Sequence, residues 1–306
     1  MDATGSSTSP EWVWLNGRVL RRREATLDLD DRGFQFADGV YEVLRLYAGR
    51  PFAIEEHLER LRASCAGIAM NLGFGDSAIR EGFAELQRRT PLRDGMIYLQ
   101  ATRGVAPRNH VFDDATPATL LFYAKPLSPA AVPGGAGARV ISMPDERWKR
   151  CWVKSIALLP NVLAKTQAAR AGADEAILID DGVAHEGATS NLFIVRDGRL
   201  ITAPPGPKVL PGVTRLVLLR LAASLGIDVE HRPPTEAEAL AADEVFIAST
   251  TREIHWVRQW DSQIIGDGRV GPITLRLHES FRDYVESFSD QRRPSGPLHR
   301  VLTGEG

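Results

Sequence analysis

The 306-residue sequence predicts an α+β fold in two domains, on three observations. Short strand-like runs are joined by turn signals, without regular alternation with helices. Several separate segments carry apolar residues at helical spacing. A stretch rich in Pro, Gly and Ala, "KPLSPAAVPGGAGARV" at 125–140, falls between two strand-like runs, as an interdomain boundary would. The division read from this is a flexible tail over 1–10, a small N-terminal α+β domain over 11–125, a linker over 126–137, a larger C-terminal domain over 138–287 and a second flexible tail over 288–306.

In the first half, "EWVWLNGRVL" reads as a hairpin, because Asn16-Gly17 suits a two-residue turn. "DGVYEVLRLYAGRPFAI" reads as two strands around Gly49-Arg50-Pro51. Ile54, Leu58, Leu61, Cys65, Ile68 and Leu72 repeat at helical spacing, and a second helix spans 77–89. Strands near 96–103 and 118–124 complete a sandwich of antiparallel strands and two helices. In the second half, a strand at 138–143 precedes "CWVKSIALLP" (151–160), which reads like the interior of a sheet. "PNVLAKTQAARAG" is a helix stopped by Gly172. Strands follow at 175–180 and 191–196, with "IDDGVAHEG" as the turn between them. A helix over 214–225 ends at Gly226, and "DEVFIASTTREI" is a strand running into a polar turn.

Composition removes several classes of function. With 43% hydrophobic and 25% charged residues the chain is an ordinary globular one, long enough for two cores. A net charge of −2 without a basic stripe speaks against a nucleic-acid partner. No apolar run approaches the roughly 20 residues of a membrane helix, and "MDATGSSTSP" has no signal-peptide pattern. Two cysteines, Cys65 and Cys151, make neither a disulfide framework nor a metal cluster, which fits a reducing cytoplasm. The seven histidines show no ligand spacing, so no metal site is expected.

Lys154 is the residue that asks for an explanation. It stands in an apolar run, where an ammonium is costly unless paired or chemically used, although a snorkelling side chain would also account for it. Four other segments bear on it. "HEGATSNLF" sets Glu186 in a glycine-bearing turn, followed by Thr189, Ser190 and Asn191. "LPGVTR" opens a helix whose first turn, with Val213 and Thr214, presents free amides and a hydroxyl to a phosphate. "ASTTREI" supplies the hydroxyls of Ser249, Thr250 and Thr251, and "EEHLERL" carries Arg60, for which a Glu56–Arg60 helix pair is the plain alternative. Each segment alone reads as capping, turn or surface. Together they meet the needs of pyridoxal phosphate: a lysine amine for a Schiff base, an anion at the pyridine nitrogen, and several phosphate donors. Lys154, Glu186, and Arg60 with Thr214 and Thr250 would fill those roles.

The order "KS", "EGATSNLF", "LPGVTR", "STTREI" resembles the fold-type IV pyridoxal-phosphate enzymes, over residues 12 to 285. That group holds branched-chain aminotransferases, D-amino-acid aminotransferases, certain (R)-amine transaminases and aminodeoxychorismate lyase. The resemblance implies a small α/β sandwich domain, a larger mixed α/β barrel-like domain and a homodimer. It implies a cofactor set of Arg60, Lys154, Glu186, Ser190, Asn191, Leu210, Val213, Thr214, Ser249 and Thr250. Within the group, "FADGVYEVLR" and "TRGVAPRNHVF" look like D-amino-acid aminotransferase. This implies that Tyr41, Arg108 and His110 clamp the substrate α-carboxylate, a task suited to an arginine fork with two further donors. Arg108 and His110 are then expected to reach the cofactor of the other subunit. The implied activity is transamination of D-amino acids such as D-alanine with a 2-oxo acid such as 2-oxoglutarate, through Lys154. "PRNH" argues against an L-branched-chain enzyme, and the clamp favours simple amino acids over the lyase. Lys154 and Glu186 argue against a binder that has lost the cofactor. One departure is Ala157, where the family commonly has asparagine.

Overall fold

The computed structural model describes residues 10–128 and 135–289. Of the expected tails over 1–10 and 288–306, all but residues 10, 288 and 289 fall outside these residues, as do 129–134 of the expected linker over 126–137. The chain forms two compact units, Met1–Pro129 with Val153–Ala157, and Ala130–Trp152 with Leu158–Gly306.

The first unit begins with the hairpin β1 (Trp12–Leu15) and β2 (Arg18–Arg21), in which Leu15 faces Arg18. Asn16 and Gly17 take φ of 47° and 91°, the left-handed pair that a two-residue hairpin turn requires. A single helical turn, α1 (Arg32–Phe36), is capped by Asp31, whose Oδ1 accepts from Gly33 N at 2.8 Å. Strands β3 (Gly39–Tyr47) and β4 (Arg50–Pro51) meet at Ala48–Gly49, both at positive φ, so Arg50 and Pro51 belong to β4 and not to the turn. Helix α2 (Ile54–Gly67) stops before Ile68 and Leu72, because the backbone reverses at Ala69 with φ 50°. Leu72 stays buried all the same. Helix α3 (Asp76–Arg89) and strands β5 (Gly95–Thr102) and β6 (Thr119–Pro126) complete the unit. The sheet runs β2-β1-β6-β5-β3-β4, antiparallel throughout, with α2 against β3 and α3 against β1 and β6. Leu44, Leu58, Leu61, Ile79, Leu86, Leu99 and Phe122 fill the space between.

Residues 153–157 are an irregular stretch, where the sequence suggested a strand. Tyr41 N donates to Lys154 O at 2.9 Å and Ile156 N to Gly39 O at 3.1 Å, which extends the sheet beside β3. The extension is short because Ser155 N turns back to Val153 O at 2.9 Å, a tight turn that ends the ladder. The alternation survives in the burial: Val153 and Ser155 are buried, Lys154 and Ile156 half-buried.

The second unit contains β7 (Ala138–Pro144), α4 (Leu159–Arg170), β8 (Glu175–Asp180), β9 (Val183–Gly187), β10 (Asn191–Arg196) and β11 (Arg199–Thr202). It continues with α5 (Val213–Ser224), β12 (Val229–His231), α6 (Glu236–Leu240), β13 (Glu244–Ser249), β14 (Glu253–Trp260), β15 (Gln263–Ile264) and α7 (Pro272–Ser289). "IDDGVAHEG" is more than a turn. The reversal is confined to Asp181-Gly182, and Val183–Gly187 pairs with β8, so Glu186 stands on a strand. Six strands close into a ring, β7-β8-β9-β10-β13-β14, mixed in direction, with β7 parallel to both β8 and β14. The closing pair is Glu186 on β9 with Asn191 on β10. Ile177, Leu192, Ile194, Ile247, Val257 and Trp260 form one core cluster, and Phe193 stacks on Phe246 with centroids 4.7 Å apart. Because β10 is buried on both faces it reads as a continuous apolar run, not an alternating one.

Helix α7 is held at its start by a residue from another element. Glu244, buried at the head of β13, accepts from Ile273 N at 3.0 Å and Thr274 N at 2.7 Å. A carboxylate here meets the orphan amides and the positive end of the helix. Glu244→Ala is expected to lower stability by about 2 kcal/mol, read as a shifted denaturant midpoint at unchanged slope. No helix among the described residues is long and apolar enough to cross a membrane.

Candidate active site

In the first unit, a buried polar stripe runs along α2. His57, Arg60 and Ser64 are spaced i, i+3, i+7 and so share one side of the helix, beside the apolar face of Leu58, Leu61 and Cys65. Arg60 meets Glu42 of β3 fork to fork, Nε to Oε1 and Nη2 to Oε2, both at 2.8 Å. Burial pushes the Glu42 carboxyl up, but the Arg60 charge and its hydrogen bonds, with His57, hold it well below the usual range. Burial also keeps His57 low against the pull of Glu42, whose Oε2 lies 2.7 Å from its Nδ1. Ser64 Oγ accepts from Lys154 N at 3.1 Å. The Lys154 backbone is thus fixed on both sides, by Ser64 and by Tyr41 N. Its ammonium lies 4.3 Å from the ring centroid of Tyr41. Two sequence-derived candidates, Lys154 and Tyr41, are therefore in contact. Arg60 is engaged by Glu42, a partner the sequence reading did not identify.

The other two first-unit candidates lie on the exposed loop after β5. Arg108 stacks 4.5 Å above Phe36 and donates from Nη1 to Gln35 O at 3.3 Å, and the His110 ring lies 5.4 Å from Phe36.

In the second unit, the candidates gather at one end of the ring. The register sets Glu186, Asn191, Ala248 and Ile254 side by side across four strands, so Ser249 and Thr250 follow directly at the strand end. Glu186 is buried and accepts from Arg147 Nη1, from Asn191 Nδ2 at 3.0 Å and from Leu210 N at 3.1 Å. Burial pushes its carboxyl up to about 7, against the Arg147 charge and these hydrogen bonds. Arg147 is itself held by Asp145, Nε to Oδ1 at 2.9 Å and Nη2 to Oδ2 at 3.0 Å. Asn191 also donates to Leu210 O at 3.0 Å. Gly212 caps α5 without a side chain and presses on Asn191. A Cβ there would fall 1.9 Å from Asn191 Oδ1. Val213 and Thr214, both buried, form the first turn of α5, whose amides have no side-chain cap. Ser190 faces elsewhere: its Oγ lies 3.3 Å from Glu175 Oε2, which Thr189 Oγ1 also meets.

Sequence reasoning missed Arg147, Asp145, Glu42 and His57. The available signal was chemical: a buried Glu186 and a buried Arg60 each need a counter-charge. "DERW" offered one for the first, and the "E" of "VYEV" one for the second.

This donor set suits a phosphorylated heteroaromatic group. A helix start without a side-chain cap meets a phosphate, and a buried carboxylate held by three donors meets a ring nitrogen. The half-buried amine of Lys154 belongs to a supporting frame of its own.

A family model for amino-transferase class IV matches residues 39–260. The D-alanine aminotransferase of Bacillus licheniformis is 40% identical over 275 residues, spanning 90% of this chain and 97% of that one. The D-alanine aminotransferase of Staphylococcus haemolyticus is 37% identical over 282 residues, spanning 90% and 99%. Among solved structures, the branched-chain amino acid aminotransferase from Escherichia coli superposes with a TM-score of 0.83 at 26% identity, over 93% of this chain and 97% of that one. The branched-chain amino acid aminotransferase from Thermobaculum terrenum, in its PLP-form (holo-form), gives a TM-score of 0.79 at 28% identity, over 92% and 96%. The small antiparallel sandwich, the closed mixed barrel and these matches carry one conclusion: the chain belongs to the class IV aminotransferases.

Proposed function

We propose that the protein transaminates D-amino acids such as D-alanine with a 2-oxo acid such as 2-oxoglutarate, using pyridoxal phosphate. The observation that carries the reading is the contact of Lys154 with Tyr41, since it joins the amine required for the chemistry to a member of the carboxylate clamp. The match to D-alanine aminotransferases over 90% of the chain supports it. When bound, the cofactor supplies a carbonyl that takes the amino group and a ring that accepts electrons. Lys154 would carry the cofactor, and its free amine would move the proton at the substrate Cα. Glu186 holds the proton on the pyridine nitrogen, with Arg147, Asn191 and Leu210 N fixing the carboxylate. Thr214 with the first amides of α5, Ser249 and Thr250 hold the phosphate, and Arg60 adds charge from within its pair with Glu42. Arg108, His110 and Tyr41 grip the α-carboxylate.

A second copy of the chain is the proposed partner. Leu29, Phe34 and Val111 are exposed, Phe34 to 80%, on the two segments that carry or border the clamp loop. Leu159, Val162 and Leu163 are exposed together on α4. Apolar surface of this extent suits a self-complementary interface. The proposed compartment is the cytoplasm, in keeping with two free, buried cysteines.

The deciding assay is D-alanine against L-leucine with 2-oxoglutarate as acceptor. Faster turnover of L-leucine would move the chain to the branched-chain reading. In the same assay Arg108→Ala is expected to cut kcat/KM for D-alanine by at least about tenfold, as loss of one charge-assisted partner does. The cofactor colour should persist, since no phosphate contact is touched. Loss of bound cofactor in that variant would make Arg108 structural.

A further inference from the structure

Helix α1 is one turn long, and both its ends meet the same loop. Arg32 and Phe36 are four residues apart, hence on one side of the helix. Arg32 is 3% exposed, and its guanidinium makes two bonds in different directions. Nε donates to Asp38 Oδ2 at 2.8 Å, and Nη1 donates to Asn109 O at 2.6 Å. That carbonyl stands between Arg108 and His110 in the chain. Phe36 lies under the Arg108 guanidinium at 4.5 Å and beside the His110 ring at 5.4 Å. Behind Arg32, Asp38 is shared with Arg103, which donates from Nε at 2.8 Å and from Nη2 at 3.0 Å. Arg103 is itself tied to Ala69 O at 2.8 Å and Ile68 O at 2.7 Å, so the carboxylate that steers Arg32 has a fixed seat. The backbone adds Arg32 N to Gly104 O at 2.9 Å and Ala106 N to Asp30 O at 3.2 Å.

Arg108 and His110, by contrast, are exposed. An exposed arginine on a free loop samples many rotamers and backbone states, and productive binding needs one of them. We propose that Arg32, seated by Asp38 and assisted by Phe36, is a positioning residue that sets the backbone at Asn109 and through it the aim of Arg108 and His110 at the substrate carboxylate. This rests on the D-amino-acid reading above. Lysine could not replace it: a single ammonium on an unbranched chain reaches Asp38 or the Asn109 carbonyl, whereas the planar fork holds both.

The test is Arg32→Lys in the cofactor-loaded enzyme. KM for D-alanine and for 2-oxoglutarate should each rise about tenfold while kcat stays within about twofold, because the loss is one of uniform binding. Amide exchange over 105–112 should quicken, with β3, β5 and the cofactor spectrum unchanged. Wild-type KM values with unchanged exchange would overturn the proposal, as would a loss confined to kcat. Should the lysine variant fail to fold, Phe36→Leu leaves the Asp38 bonds in place and should show the same split and the same faster exchange. If the wild-type enzyme ignores D-alanine, the functional reading fails, and the exchange measurement on the loop still decides the positioning role.

Discussion

Lys154→Ala is expected to fold normally and to lose turnover by about 10²–10⁴ or more, the range a positioned proton-transfer group supplies, with its covalent role lost as well. Folding should survive because the segment is held by its backbone: Lys154 N donates to Ser64 Oγ and Lys154 O accepts from Tyr41 N, and neither bond uses the side chain. What disappears is the amine and its contact with the Tyr41 ring, worth about 0.5–2 kcal/mol. Borohydride treatment of the wild-type holoenzyme followed by peptide mapping should leave a phosphopyridoxyl group on Lys154. Label on Lys125, Lys149 or Lys165 would refute the assignment.

Glu186→Gln should keep the cofactor and lower kcat by about 10²–10³, the size of effect seen when a preorganised electrostatic partner is removed. The amide cannot hold the ring proton as a counter-charge. It also fits its surroundings badly. Glu186 accepts from Arg147, Asn191 and Leu210 N, and the new NH2 would point at one of those donors, at a cost of about 1–3 kcal/mol. The same carboxyl gives a signature in the cofactor-free protein. Its folded-state value is raised from 4.5 to about 7, so over that interval the folded state binds more protons than the unfolded one. Its contribution to stability is therefore full below 4.5 and fades as pH rises through about 7. Denaturation of the cofactor-free protein across this window should show the decline in wild type and not in Glu186→Gln. Equal kcat, or equal pH slopes, would remove Glu186 from its role.

The parts legible in the sequence were those in which a local pattern and its burial agree. Asn16-Gly17 announces its hairpin because only such residues take that turn, and α2 and α3 show their apolar stripes. Strand β9 is hidden by its polar residues. His185 and Glu186 are polar, and Glu186 can be buried only because Arg147, 39 positions away, arrives to neutralise it. Helix α7 is hidden in the sequence for a related reason. Two of its five buried residues, Thr274 and His278, are polar, which blurs the stripe of Leu277, Phe281 and Val285. As candidates, Lys154 was legible as a cation in an apolar run, and Glu186 through the resemblance of "EGATSNLF" to the family's motif. Arg147, Glu42 and His57 were not, since a counter-charge is chosen by the fold and can stand anywhere in sequence. Arg60 shows the difference: the sequence offered Glu56 one helical turn away, and the fold supplies Glu42 from β3.

The closed ring of the second unit also dictates an order of events during synthesis. Three of its strands, β8, β9 and β10, are consecutive, and their pairings need only short loops. The union of β14 with β7 joins Val257 to Ala138 and Trp260 to Val140, across more than a hundred intervening residues. Such a contact carries a large loop-closure cost and is slow to form. A nascent chain that ends before Glu253 can hold the Glu186–Asn191 seam but must leave both β7 and β13 with an unpaired side. Until the ribosome has released β14, those edges are open to other chains, and a chaperone that shields strand edges would act at this stage.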